Sequence, residues 1–147
     1  MIPPFEPSTG LLPTGVHEAT WEEIVARFGQ TPRRLELLAG LKAALDALRA
    51  ASCRRAYVNG SFVTAKQTPG DFDGCWEVDG VDLARLDPVL MTFANLRAAQ
   101  KRKYGGELFP ADAPADRDGT KFLNFFQRDR ATGAPKGILA IDLVGLP

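Results

Sequence analysis

Cysteine, histidine and net charge are all scarce in this chain, and each scarcity removes a class of function. The two cysteines, Cys53 and Cys75, follow no metal-ligand spacing and cannot build a disulfide framework. They read as free thiols of a reducing compartment, which makes the cytoplasm the expected location. The single histidine, His17, shows no catalytic pairing and reads as an ordinary polar residue. Eighteen basic residues balance eighteen acidic ones, so no global field recruits polyanions and any such contact must come from a local patch. A run of about 18 apolar residues is also missing, which excludes a membrane-spanning helix. Met1 to Pro13 carries proline and an acid where a signal peptide needs a basic start and an apolar run.

What remains is a hydrophobic content of 45%, enough for one domain with a substantial core. Residues 1–16, rich in proline and glycine, are expected to form an extended N-terminal arm lying on the domain or on a partner, and residues 17–147 a single domain. Thr20 with Glu23 has the spacing of a capping box, and Trp21, Ile24, Val25 and Phe28 then form a short amphipathic helix that Gly29 ends. Thr31 and Pro32 open a second helix reaching about Ala51, with Leu35, Leu38, Leu41, Ala44, Leu45 and Leu48 on its buried stripe. Ala56 to Val58 and Asp71 to Val78 read as strands, with a helical turn over Ser61 to Lys66 between them. Pro88 suggests a further helix start, with Leu90, Met91, Phe93, Leu96 and Ala99 as its stripe, and residues 104–119 read as a loop. Phe122 to Arg128 and Gly137 to Val144 read as an antiparallel hairpin. The fold class expected is α+β, a small mixed or antiparallel sheet with helices packed on one side.

The chemistry concentrates in Gly60-Ser61 and, after a nine-residue spacer, Asp71-Phe72-Asp73. Glycine lets backbone approach a phosphate closely, and the adjoining serine adds a hydroxyl and an amide near a helical turn, where anions are favoured. In a strand alternate side chains share a face, so Asp71 and Asp73 project together while Phe72 enters the core. Two such carboxylates suit Mg²⁺. Asp142 is the lone acid of its apolar strand and the candidate for a third ligand.

This pattern resembles the nucleotidyltransferase superfamily of the DNA polymerase beta type, whose signature is a Gly-Ser, a spacer, an acid-x-acid strand and a later single acid. The resemblance spans about residues 55–144, and its size resembles the minimal prokaryotic members, often encoded beside a partner in toxin–antitoxin pairs. More narrowly, Leu12 to Asp73 resembles an uncharacterised bacterial family of nucleotidyltransferase-like proteins. The resemblance implies that Asp71, Asp73 and Asp142 ligate Mg²⁺ and that Gly60 and Ser61 hold a nucleoside triphosphate. It also implies transfer of a nucleoside monophosphate to a hydroxyl on a protein or tRNA. Two departures favour an alternative, a catalytically inactive module that binds a partner protein such as a toxin or antitoxin. Asn59 stands where an apolar residue is usual, and Thr64-Ala65-Lys66 replaces the Arg-Gly of active minimal members.

Lys66 and Lys136 lie close in sequence to the loop and to the third acid, and either could neutralise phosphate charge. Arg97, Lys101, Arg102 and Lys103 could guide RNA, although basic residues in a last helical turn also complement the helix dipole, and that structural reading is preferred. Cys75, Trp76, Phe122, Phe125 and Phe126 read as core or contact residues.

Overall fold

Two helix starts form as their local chemistry dictates. In the computed structural model, which describes all 147 residues, the Glu23 amide donates to Thr20 Oγ1 at 3.2 Å and the Thr20 amide to Glu23 Oε2 at 2.9 Å. This box opens α1, Trp21–Phe28. Thr31 caps α2, Pro32–Ala50, by accepting from the Arg34 amide, with Pro32 at its first position. The buried stripe of α2 runs through Leu37, Leu38, Leu41, Ala44, Leu45 and Leu48. Leu35, expected on that stripe, is 52% exposed, and Leu37 takes its place.

The strands are β1 (Gly15–Glu18), β2 (Arg55–Asn59), β3 (Phe72–Trp76), β4 (Gly106–Pro110) and β5 (Gly137–Asp142). They form one mixed sheet in the order β1-β5-β2-β3-β4, parallel at both outer pairs and antiparallel within. Because side chains alternate, the sheet has two distinct faces. One carries Ala56, Val58, Phe72, Trp76, Leu108, Leu139 and Ile141 and forms the main core with α1 and α2. The other carries Tyr57, Cys75, Ile138 and Ala140 in a smaller cluster under Phe109, Phe122, Phe125 and Phe126. The fold is therefore α+β, as its pattern of elements predicts. No helix is long and apolar enough to cross a membrane.

The N-terminal arm lies on the domain, with Ile2 and Leu12 buried. Several local expectations are corrected. The arm's end is no boundary at residue 16, because β1 runs across it and adds to β5 as a parallel edge strand. The segment read as a loop contains β4. The expected hairpin does not form, since Phe122–Phe125 is a single helical turn, α4, and β5 pairs with β1 and β2 instead. Phe122, Phe125 and Phe126 have the i, i+3, i+4 spacing of a helix, and burying that aromatic face on the sheet outweighs β-propensity. After a 3₁₀ turn at Pro88–Met91 comes α3, Ala94–Tyr104, interrupted by left-handed backbone at Asn95, Leu96 and Arg97. Leu96 and Met91 accordingly stand 73% and 46% exposed rather than on a buried stripe.

Helices α2 and α3 meet at Gly40, where an added Cβ would lie 1.8 Å from the Tyr104 carbonyl oxygen. Alanine normally favours a helix over glycine by about 1 kcal/mol. Packing reverses that sign here: Gly40→Ala is expected to lower stability by about 1–3 kcal/mol in urea denaturation, by forcing the helices apart.

Candidate functional site

At the end of β2 the chain reaches Gly60 with φ +86°, a left-handed conformation that glycine tolerates best. Space requires glycine as well. A Cβ at this position would lie 2.7 Å from Asp73 Oδ1, because Asn59 and Asp73 are register partners and Gly60 passes directly over the carboxylate. A single 3₁₀ turn, Ser61–Val63, follows. Its first amides, those of Ser61 and Phe62, have no partner within the turn. The carbonyls are held from α2. Buried Arg34 donates to Phe62 O at 2.6 Å, to Thr64 O at 2.9 Å and to Lys66 O, while Arg33 donates to Pro69 O at 3.3 Å and to Gly70 O. A planar guanidinium with five fixed donors suits this fan of carbonyls.

Asp71 and Asp73 leave β3 on one face while Phe72 is fully buried on the other, as alternation requires. The carboxylate that joins them is Glu107. In the parallel β3–β4 pair Asp73 is the register partner of Glu107, so the two side chains share a face on neighbouring strands. Asp142 is a correction. It sits on that same face but pairs with Arg55, four residues along β2 from Asn59, about 13 Å along the strand direction from the Asp73 position. There it is exposed, and its Oδ1 accepts from the Val144 amide at 2.9 Å. The antiparallel pairing of β5 with β2 brings the start of β5, not its end, beside Gly60. Glu107 carries the same sequence signal as Asp142, one acid in an apolar run, but within a segment that reads as loop.

These residues open on a cavity of about 560 Å³. Gly60, Ser61, Asp71, Asp73 and Glu107 line one side; Arg128, Arg130 and Lys136 supply positive charge on another. Lys66 is exposed and does not line it, although its charge favours ionised Asp71. Phe109, Phe122, Phe125 and Phe126 form an aromatic wall, with Phe109 and Phe122 stacked at 4.1 Å between centroids and 6° between planes. Phe93 continues the stack on Phe109 at 5.7 Å. The aromatics of α4 fall in a segment whose composition favours a strand, and their i, i+3, i+4 spacing is the signal for this wall.

The electrostatics are those of a crowded acid site. Burial pushes the Asp73 carboxyl up to about 6, with Asp71 and Glu107 adding to the shift and Lys136 and Arg130 opposing it. Asp71 is raised as well, by burial and then by Glu107. Lys136 is lowered by burial, with Asp73 pulling the other way. No three acid, cysteine or histidine side chains lie close enough to grip an ion as they stand. Glu107 instead pairs with Arg97 and, at 3.6 Å, with Lys101. Yet Asp73 Oδ1 and Asn59 Oδ1 are buried acceptors with no donor. Two unsatisfied oxygens on registered residues, with two further carboxylates beside them, fit a hard divalent cation.

A buried acid raised in the folded state binds its proton more tightly there than when unfolded, so stability falls as pH rises between the two values. For Asp73 the window runs from about pH 4 to pH 6, and the loss is about 3 kcal/mol. Without added metal, Asp73→Asn is expected to equal the parent in urea denaturation near pH 4 and to exceed it by a few kcal/mol at pH 8. Parallel pH profiles for the two proteins would count against a destabilising charge at this position.

No curated protein and no solved structure matches the chain. Residues 3–142, which include every residue of the cavity, match the family of unknown function DUF6932, and the chain belongs to that family.

Proposed function

We propose that this chain is a Mg²⁺-dependent nucleotidyltransferase that moves a nucleoside monophosphate from a nucleoside triphosphate to a hydroxyl on a protein or tRNA. The observation that carries the reading is the meeting of Asp71, Asp73 and Glu107 at one end of the sheet, with Gly60-Ser61 packed over Asp73. The arrangement resembles the acid-x-acid, single-acid and Gly-Ser pattern of the nucleotidyltransferase superfamily, with Glu107 rather than Asp142 as the single acid. Asp71, Asp73 and Glu107 would hold Mg²⁺, which when bound neutralises charge on the phosphates and on the attacking oxygen.

The chain's own residues divide the remaining work. Ser61, through its hydroxyl and the free amides of its turn, offers donors to the β and γ phosphates, and Lys136 and Arg130 add positive charge beside them. The stacked rings of Phe109 and Phe122 offer an apolar wall for the base. The acceptor hydroxyl oxygen bonds to the α-phosphorus, and the bond from that phosphorus to its bridging oxygen breaks. Pyrophosphate leaves with the electron pair, and the hydroxyl proton passes to a neighbouring carboxylate. Burial of the loop carbonyls by Arg34 keeps the Ser61 turn in one conformation during this transfer.

One observation favours a second reading, a non-catalytic module that binds a partner protein, as one half of a toxin–antitoxin or phage-defence pair. Glu107 is already occupied by Arg97 and Lys101, so the acid set is incomplete as it lies. Incubation with labelled triphosphates, Mg²⁺ and candidate acceptors separates the two. Transfer is expected in the parent, with losses of about 100-fold or more in Asp71→Asn, Asp73→Asn and Glu107→Gln and less than about twofold in Asp142→Asn. A loss in Asp142→Asn equal to that in Glu107→Gln would return the third role to Asp142. Absence of transfer together with a partner complex that survives loss of all three acids would establish the second reading.

A further inference from the structure

Glu107 is held by two cations that reach it in different ways. Its side chain, 13% exposed, meets Lys101 Nζ at 3.6 Å through one oxygen and Arg97 Nε through the other. Lys101 comes from the regular part of α3 and strains nothing. Arg97 arrives on left-handed backbone, with φ of +53°, +56° and +60° at Asn95, Leu96 and Arg97. Asparagine tolerates that conformation, whereas leucine and arginine press Cβ against the following carbonyl. Leu96 gains no packing in return, being 73% exposed. The turn is pinned on both sides, by Phe93 stacked on Phe109 before it and by the Arg97 guanidinium on Glu107 after it.

Neutralising Glu107 does not require this strain, since Lys101 already stands beside it. What Arg97 adds is occupancy of the second carboxylate oxygen, from a position on the wall of the acid cavity. Across the sheet from Glu107, Asp73 Oδ1 and Asn59 Oδ1 are enclosed acceptors with no donor, and Asn59 is only 5% exposed while lining the same cavity. Acceptors left unpaired beside an acid that is paired at a backbone cost mark a site with a second state. In that state Glu107 turns with Asp71 and Asp73 to a hard divalent cation, whose two charges replace the single charge of Arg97.

We propose that Arg97 is an internal counter-ion that holds Glu107 in the absence of a divalent cation and gives it up when one binds, the turn at Asn95–Arg97 relaxing in the exchange. The proposal rests on the metal site of the transferase reading and adds a gate to it. Arg97 lines the same cavity as Arg128, Arg130 and Lys136, so the released guanidinium joins their positive charge in receiving an anionic ligand. The apparent dissociation constant for the cation is then the intrinsic one divided by the fraction of chains in which Arg97 is released. A substitution that favours the released state tightens cation binding, and one that favours the held state weakens it.

The test is titration of the full chain with Mn²⁺, without nucleotide, the free ion being counted by electron paramagnetic resonance. Arg97→Gln removes the competitor and is expected to bind Mn²⁺ about tenfold more tightly than the parent, the gain for a site released in about one chain in ten. Leu96→Gly keeps Arg97 and relieves the turn, which favours the held state, and is expected to bind about fivefold more weakly. Arg102→Gln removes an exposed cation of the same helix that makes no ion pair, and is expected to change affinity by less than about twofold. In nitrogen-resolved NMR the Arg97 Nε–H signal, identified by its loss in Arg97→Gln, is expected to shift as the diamagnetic Mg²⁺ is added to the parent. Equal affinity of Arg97→Gln and Arg102→Gln, parent affinity in Leu96→Gly, or a stationary Arg97 signal at saturating Mg²⁺ would overturn the proposal. If label transfer occurs while the variants behave in that way, the transferase reading stands and the gate falls. If the exchange is seen and no label is transferred to any acceptor, the gate stands and the transferase reading falls. Absence of cation binding in the parent and in every variant would remove both.

Discussion

The contact on which the site depends is the passage of the Gly60 backbone over the Asp73 carboxylate. The β2–β3 register places Asn59 opposite Asp73, so the next residue must cross a half-buried acid, over its enclosed Oδ1, with no room for a Cβ. Glycine supplies both the space and the left-handed φ that turns the chain away. From that crossing follow the direction of the Ser61 turn, the enclosure of Asp73 Oδ1 and the position of the loop that Arg33 and Arg34 hold against α2.

The cost of this arrangement is borne by the fold. A carboxylate pressed under backbone beside two others is destabilising at neutral pH, and the nearby cations offset it only in part. The same logic applies to Arg97, which is carried to Glu107 by three consecutive left-handed residues that glycine would adopt more easily. Strain at Asn95–Arg97 and burial at Asp73 thus converge on one set of acids.

The two faces of the sheet are covered unequally. One is closed by α1 and α2 into the main core, and its residues are the long apolar ones that a helix-on-sheet layer needs. The other is only partly covered, by α4 and its aromatic residues, and the uncovered end is where the acids, the loop and Lys136 meet. Because α2 packs on the first face and its opening turn reaches the loop through Arg33 and Arg34, the core braces the site from behind.

Sequence alone determined what depends on neighbours in the chain. The capping box at Thr20 and Glu23, the Thr31-Pro32 start of α2 and the shared face of Asp71 and Asp73 are set by hydrogen bonds and alternation within a few residues. The α+β class followed from the order of such elements. Tertiary structure decided what depends on pairing between distant strands. Glu107 joins Asp73 and Asp142 does not, although both are single acids in apolar runs, because register and strand direction choose between them. It likewise made a strand of 106–110 and a helical turn of 122–125, since β4 needs β3 beside it and the rings of α4 need a sheet face to cover. Long-range pairing carries no mark in local composition, and only the sheet therefore decides which single acid stands beside Asp73.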